Sequence, residues 1–265
     1  MIIIGEKINA TRSAIGKALE QRDAEFIIKT AVEQANAGAD FIDVNGGSPK
    51  KGQEAENIKW LMELVQANTD KGVAVDSADP QAVVAGLEAA KKKPILNSIS
   101  LESDRLGPML PIARDHECMV VALLMSDDGT PTGADDRVRR ADILLEKLTG
   151  VGKKLDELIV DPCFLPVSAD PASGRAVIDA IAKIHDKYPH VHIGGGCSNI
   201  SYGLPKRKLV NFALLSQAIY HGMDVGIIDP CIPGIVAAIL AAEAVAGKDD
   251  FCMNYVMAER EGRLG

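Results

Sequence analysis

Carboxylates and carboxamides close short apolar runs along the whole 265-residue chain: Glu6, Asn9, Asp43, Asn45, Asp76, Asn97, Asp161, Asn199 and Asp229, with Ser198 beside Asn199. An ionised carboxylate only accepts hydrogen bonds, whereas a carboxamide both accepts and donates. Gathered in one place, almost without Lys, Arg or His, such side chains form an acceptor-rich pocket suited to a neutral ligand that displays several N–H groups. They are far apart in sequence, so the chemistry depends on elements that bring strand ends together.

Those elements are legible as a repeated unit: an apolar, β-branched run ends on a polar residue and is followed by a turn and a stretch of helical periodicity. Eight runs fit: Ile2 to Gly5 ending at Glu6, Phe41 to Val44 at Asn45, Val73 to Val75 at Asp76, Ile95 and Leu96 at Asn97, Met119 to Met125 at Ser126, Leu158 to Val160 at Asp161, Val191 to Cys197 at Ser198 and Asn199, and Val225 to Ile228 at Asp229. Between them, Ile27, Ile28, Ala31, Val32 and Ala35 make an apolar helical stripe, with Gly38 to cap it. Gln217 to His221 before Gly222 repeats that pattern, and Pro80 suits a first helical turn. Asp127 to Asp136 reads as a surface loop. Continuous apolar strands alternating with amphipathic helices imply a parallel sheet covered by helices. Eight units in one domain spanning residues 1–265 predict an α/β fold, the (β/α)8 TIM barrel, in which all strand carboxyl ends meet on one face. A doubly wound sheet would carry a glycine-rich phosphate turn after its first strand, where this chain has Glu6-Lys7-Ile8-Asn9.

Composition narrows the function classes. With 47% hydrophobic and 25% charged residues the chain reads as globular, and a formal charge of −8 argues against a sequence-independent nucleic-acid binder. Glu6 and Lys7 interrupt the opening apolar residues, so no leader is expected, and the run Ile235 to Ala242 is too short to span a membrane. Five widely spaced cysteines, Cys118, Cys163, Cys197, Cys231 and Cys252, are expected as reduced thiols in a cytoplasmic protein, with no zinc site.

Each strand-end residue has a plainer reading as the cap of the next helix, and Asp76-Ser77 and Asp161-Pro162 are most open to it. A divalent cation on the carboxylates is disfavoured, since no carboxylate pair stands at fixed local spacing and no His joins them. Gly194-Gly195-Gly196 could be a phosphate loop, but its continuity with the seventh strand favours a place where a flat ring lies against backbone. Cys197 has no base near it in sequence and is read as a packing residue.

The segments IIIGEKIN, DVNGG at Asp43 to Gly47, VDS at Asp76, LNS at Asn97, VDP at Asp161 and GGGCSNISYGLPKR at Gly194 to Arg207 resemble the pterin-binding methyltransferases. These include the methyltetrahydrofolate:corrinoid protein methyltransferases and the folate domain of cobalamin-dependent methionine synthase. The resemblance runs from residue 1 to Ile228-Asp229-Pro230. It implies that Asp76, Asn97 and Asp161 hold the pyrimidine edge of a pterin and that Asn199 faces N5 as the catalytic residue. Asn9, Asp43, Gly196 and Ser198 belong to the same substrate-binding rim; the basic pair Lys206 and Arg207 could meet the carboxylates of a folate tail, with Arg207 taken as substrate-binding and solvated charge as the plainer reading. It further implies methyl transfer between N5 of tetrahydrofolate and a cobalamin cobalt, with cob(I)alamin as nucleophile or methylcob(III)alamin as donor. No D-x-H-x-x-G segment is present to bind a corrinoid, so that group is expected on a separate corrinoid protein, in a transient complex. A homodimer is implied by the same resemblance, and the tail from Cys252 to Gly265 could cover the barrel base or a dimer face. Two other readings stay open. A dihydropteroate synthase-like enzyme would need an anion site for a pyrophosphate leaving group and a strand-seven Lys or a terminal Ser-x-Arg-type pair, where this chain has Gly-Gly-Gly-Cys-Ser-Asn and, at strand eight, Asp229-Pro230-Cys231; a non-catalytic folate-binding subunit of a corrinoid complex would not need Asn199.

Overall fold

The eight apolar runs are the strands of a closed parallel barrel, ordered β1 to β8 around the ring with β1 beside β8. The structure, a computed structural model, describes residues 1–48 and 52–264, so Gly265 at the end of the tail lies outside it. The strands are β1 (Ile2–Asn9), β2 (Phe41–Asn45), β3 (Gly72–Asp76), β4 (Ile95–Leu101), β5 (Met119–Ser126), β6 (Leu158–Asp161), β7 (His192–Gly196) and β8 (Val225–Ile228). The helices are α1 (Ser13–Gln21), α2 (Ala24–Asn36), α3 (Gln53–Asn68), α4 (Pro80–Ala89), α5 (Ser103–Asp115), α6 (Gly133–Gly150), α7 (Ser173–Lys187), α8 (Arg207–Tyr220), α9 (Ile235–Val245) and α10 (Met253–Arg260). Among the described residues no helix is long and apolar enough to cross a membrane.

Local chemistry sets the boundaries. The Asp23 carboxylate accepts from the Phe26 N–H at the start of α2, and Asp79 accepts from Gln81 N–H at α4, with Pro80 in the first turn where no N–H is needed. Gly38 (φ +105) and Gly222 (φ +116) follow α2 and α8 in the left-handed region, which a side chain would resist. Three strand ends differ from the sequence reading. β1 continues beyond Glu6 to Asn9 through a register shift against β2 between Gly5 and Ile8, and β4 continues beyond Asn97 to Leu101. β7 stops at Gly196, and Cys197–Ser201 form a 3-10 turn instead of strand. The polar stretch Asp127 to Asp136 is loop only up to Thr132; its last residues open α6, where the Asp136 carboxylate accepts from the Thr132 N–H. Acidic residues suit a helix N-terminus as well as a loop, so composition alone could not separate the two.

Strand side chains alternate between the barrel interior and the helical layer. Ile4, Ala74, Ile95, Val121, Ile159, Val225 and Ile227 form an apolar plug inside the barrel, while Ile3, Val75, Leu96, Val120 and Val160 belong to the larger core under the helices. Two residues beyond inward-facing Ile4, Phe41, Ala74, Ile95, Ile159 and Ile227 come Glu6, Asp43, Asp76, Asn97, Asp161 and Asp229. The polar row is therefore the next interior layer above the plug. At the opposite end the Met1 amine pairs with Glu243, and Lys248 Nζ donates to the Met223 carbonyl at 3.1 Å. The tail helix α10 packs on α9, its start held by Asp249, whose carboxylate accepts from the N–H groups of Asn254 and Tyr255.

Candidate functional site

The β1–β4 side of the interior layer is cross-braced. Asp76 and Asn97 are register partners on β3 and β4. Asn97 Nδ2 donates to Asp43 Oδ1 at 3.1 Å, while Asn9 Nδ2 and Asn45 Nδ2 both donate to Asp76 Oδ2, at 3.3 and 3.1 Å. The orientation of the Asn9 and Asn45 amides follows from their other ends: Asn9 Oδ1 accepts from Thr11 N–H and Oγ, and Asn45 Oδ1 from Gly47 N–H. Asp76 Oδ1 and Asn97 Oδ1 are thus left without a donor among the described residues. They are acceptors fixed in place by neighbours that have used up the opposite edges.

Asp161, buried at the end of β6, accepts from the Cys163 N–H through Oδ1 at 2.9 Å and from the Gly196 N–H through Oδ2 at 3.3 Å. Two of the three glycines of β7 answer to the protein's own packing. A Cβ at Gly195 would stand 2.0 Å from Asp161 Cγ, and one at Gly194 would stand 1.7 Å from the Val225 carbonyl oxygen. This corrects the expectation that the whole run is kept bare for a flat ring: Gly194 admits β8 and Gly195 admits the Asp161 carboxylate. Gly196 remains, and a Cβ there would meet Asn199 Nδ2 at 3.1 Å. Asn199 itself is exposed on the 3-10 turn, and its carboxamide has no hydrogen-bond partner among the described residues.

On the β1–β8 side, Ser198 Oγ lies 3.3 and 3.4 Å from the two Glu6 oxygens, and Arg12 Nη2 lies 3.0 Å from Glu6. Arg207 braces the turn that carries Asn199: Nη2 donates to the Ser198 carbonyl at 2.6 Å and Nε to Ser201 Oγ at 3.0 Å. Asp229 Oδ1 accepts from the Cys231 N–H at 2.9 Å, a turn-forming role. These groups border a cleft of about 240 Å³ that also includes Lys208, Asn211 and Ile232. Larger grooves, of about 450 and 430 Å³, lie on the outer wall along α7/α8 and α8/α9 and contain none of these carboxylates.

Burial dominates the electrostatics. It pushes the carboxyls of Glu6 and Asp76 up, Asp43 well up, and Asp161 up to about 6. The Asp76 charge adds to the rise at Asp43, and Asp229 adds to that at Glu6. Hydrogen bonds oppose the rise: Asn45 at Asp76, and the Cys163 and Gly196 amides at Asp161. Such a layer favours an uncharged partner that brings N–H donors, since each donor restores part of the solvation that burial removed.

All the sequence-selected residues except Asn199 are joined to a neighbour in this layer or its bracing turns, and Asn199 stands at its open edge. The cap reading of Asp76 falls because Asp79 caps α4. Asp161 does shape a local turn through Cys163 N–H, yet its second oxygen reaches across to β7. Sequence reasoning missed Glu54 and Arg105. Glu54 accepts from Ser77 Oγ at 2.5 Å, and the Arg105 charge holds down part of the rise at Asp76. Both sit on helices, away from the strand-end signal that selected the others.

Residues 5–229 match the Pterin binding enzyme family. The chain belongs to that family. This pterin-binding enzyme is 34% identical to a methylcorrinoid:tetrahydrofolate methyltransferase of Eubacterium limosum, over 100% of this chain and 98% of that protein. It is 24% identical to methionine synthase of Mycobacterium tuberculosis over 86% of this chain, a match that takes in 20% of that longer protein. Among solved structures it superposes on a dihydropteroate synthase of Xanthomonas albilineans in complex with 7,8-dihydropteroate, with a TM-score of 0.72 and 17% identity over 94% of this chain and 93% of that one. A dihydropteroate synthase of Coxiella burnetii in complex with pteroic acid gives 0.70 and 13% over 93% and 92%. At these identities the structural likeness speaks to the barrel fold alone.

Proposed function

We propose that this enzyme transfers a methyl group between N5 of tetrahydrofolate and the cobalt of a corrinoid carried by a separate protein. The observation that carries this reading is the asymmetry of the interior layer: among the described residues, fixed, donor-free acceptors at Asp76 and Asn97 and a buried Asp161 stand beside an unbonded carboxamide at Asn199. The 2-amino and ring N–H groups of a pterin match the first three. Asn9 and Asp43 orient Asp76 and Asn97, Gly196 leaves room beside Asn199, and Ser198 and Arg207 hold the turn that presents it. The full-length likeness to a methylcorrinoid:tetrahydrofolate methyltransferase supports the same reaction.

A methyl group leaves a neutral tertiary amine poorly, because the departing nitrogen would carry negative charge. N5 must gain a proton by the transition state, taken from solvent at the open edge where Asn199 stands. Asn199 is no acid, but its amide oxygen can accept from a protonated N5, an interaction stronger at the transition state than with the neutral amine; that difference accelerates the step. In the reverse direction the same amide oxygen accepts from the N5–H while the nitrogen lone pair attacks the methyl group and gains charge, and the proton then leaves to solvent. The nucleophilicity of the cobalt belongs to the corrinoid. Since Asn199 sits at the open edge, the partner would approach from above the strand ends.

The test is a spectrum. Mixed with tetrahydrofolate and methylcob(III)alamin or a methylated carrier protein, the enzyme is expected to bleach the methylcobalamin band. An unchanged spectrum with free and carried corrinoid, in both directions, defeats the proposal and leaves a folate-binding subunit in its place.

The same reading takes residues 1–265 as one cytoplasmic unit that pairs with a second copy of itself. The outer wall supports the pairing: α9 is apolar apart from Glu243, and Tyr220, Val245, Phe251, Met253 and Met257 stand exposed along α8, α9 and the tail. Sedimentation equilibrium of the full chain checks it, a monomer at micromolar concentration being the contrary result.

A further inference from the structure

Arg137, in the first turns of α6, is 1% exposed and has no carboxylate partner among the described residues. The nearby Asp136 is taken by Arg139 at 2.5 Å and Arg140 at 3.0 Å. The Arg137 guanidinium instead donates to three backbone carbonyls: Nη1 to Gly133 at 2.8 Å, Nε to Pro162 at 2.6 Å and Nη2 to Cys163 at 3.0 Å. Burying a cation among neutral acceptors is costly. Two of the three carbonyls belong to the residues that directly follow Asp161, and Cys163 holds a left-handed backbone (φ +60) that side-chain-bearing residues seldom adopt.

The covalent connection matters most. The Pro162 carbonyl that accepts from Arg137 and the Cys163 N–H that donates to Asp161 Oδ1 are the two ends of one peptide group. A cation on the oxygen polarises that peptide and strengthens its N–H as a donor. The path runs guanidinium, carbonyl, amide, carboxylate, with no solvent between.

We propose that Arg137 is a positioning residue for the methyl-transfer site: by clamping the Asp161–Cys163 elbow and polarising its peptide, it fixes the Asp161 carboxylate in the orientation that receives the pterin N–H groups. The proposal rests on the reading of Asp161 as a pterin-holding residue. It also bears on charge. The groups facing Asp161 are Arg137 from α6, the thiols of Cys163 and Cys197, which burial keeps protonated, and the Gly196 N–H from β7. Arg137 is the only cation among them, and it opposes the effect of burial.

The experiment measures tetrahydrofolate affinity of the full-length protein by calorimetry from pH 5.5 to 8.5, for wild type, Arg137→Met, Arg137→Lys and Asp161→Ala. Wild-type affinity is expected to rise through about pH 6 as Asp161 ionises. Arg137→Met should move that midpoint up by about one pH unit, giving roughly fivefold weaker binding at pH 6 and convergence toward wild type at pH 8.5. Arg137→Lys keeps a charge but loses the fork, so its midpoint should fall between the two. A wild-type pH profile in a folded Arg137→Met, with Asp161→Ala still impaired, overturns the positioning role. Should Arg137→Met fail to fold, the midpoint of Arg137→Lys decides, an unmoved one overturning the proposal. Wild-type affinity in Asp161→Ala would instead sink the pterin reading of Asp161, a different failure.

Discussion

The two halves of the barrel mouth are built in opposite ways. Around β1 to β4 the polar side chains are wholly or partly buried and bonded to one another, the Asn9 and Asn45 amides each oriented by a second partner, and on β6 the buried Asp161 is held by backbone N–H groups. At the end of β7 the backbone turns off the strand into a 3-10 turn, itself braced by Arg207, and offers Asn199 exposed and unbonded. A rigid, preorganised set of acceptors discriminates a ligand edge that does not change during reaction. A free carboxamide can reverse its roles as a nitrogen changes charge. The difference teaches which residues should govern binding and which should govern rate.

The sharpest way to break that division is Asn199→Ala. Loss of a hydrogen bond made chiefly in the transition state is expected to slow single-turnover methyl transfer by about 10²–10³-fold. Folate affinity should stay within roughly fivefold, since one neutral hydrogen bond contributes only about 1 kcal/mol. Stopped-flow decay of the methylcobalamin band against calorimetric affinity separates the two, and parallel losses would mean that Asn199 merely binds. Asp76→Asn is the mirror experiment. It keeps the shape but replaces an acceptor with an amide facing the donors of Asn9 and Asn45. Affinity is expected to fall by about ten- to a hundredfold, as hydrogen bonds to charged groups are worth roughly 1.5–3 kcal/mol. The rate at saturating folate should change far less.

Much of this division was legible in the chain. Strand-end Asp and Asn residues pointed to one shared interior layer because strand geometry has period two: Ala74 to Asp76, Ile95 to Asn97 and Ile159 to Asp161 each step from the apolar plug to the polar layer on the same face. The plainer cap reading failed at Asp76 for a reason also present in the sequence, since Asp79-Pro80 is the better helix start. What the sequence could not disclose were contacts whose partners share no local spacing. Arg137 and Arg105 lie on helices, where a charged residue normally signals a solvated face, and only the closed ring turns them toward the site. The glycine run was misread at Gly194 and Gly195 because the close neighbours, the Val225 carbonyl and the Asp161 carboxylate, are 31 and 34 residues distant along the chain.

The buried half should also betray itself through pH. Glu6, Asp43, Asp76 and Asp161 all have carboxyls pushed up by burial, Asp161 to about 6. A carboxyl whose folded pKa exceeds its unfolded one binds its proton more tightly in the folded state. Its stabilising contribution is therefore complete below the unfolded value and is lost as pH rises through the folded one. A tenfold difference in proton affinity between the folded and unfolded chain is worth about 1.4 kcal/mol, and a protein of this size moves by about 2–4 °C per kcal/mol. The unliganded protein is expected to melt roughly 5 °C higher at pH 5 than at pH 7.5. His192, raised by Asp224 at the barrel floor, acts in the same direction. Saturating tetrahydrofolate distinguishes them: its N–H groups favour the ionised carboxylates and should narrow the gap, whereas a gap untouched by ligand would place its origin at the floor.

The smallest expected effect tests whether the bracing is collective. Asn45 Nδ2 shares Asp76 Oδ2 with Asn9 Nδ2, so Asn45→Ala leaves one donor on that oxygen and every ligand-facing acceptor in place. If the two amides act independently, folate affinity should fall by about two- to fivefold, as befits one hydrogen bond of about 0.5–1 kcal/mol, with the transfer rate unchanged. Combined with Asn9→Ala in a double-mutant cycle, losses that multiply would mark two separate props. A double variant much worse than the product would mark a network in which the first amide lost is covered by the second. A fall in rate from either amide would erase the boundary between the two halves, because it would show the Asn199 turn to be coupled to the buried side.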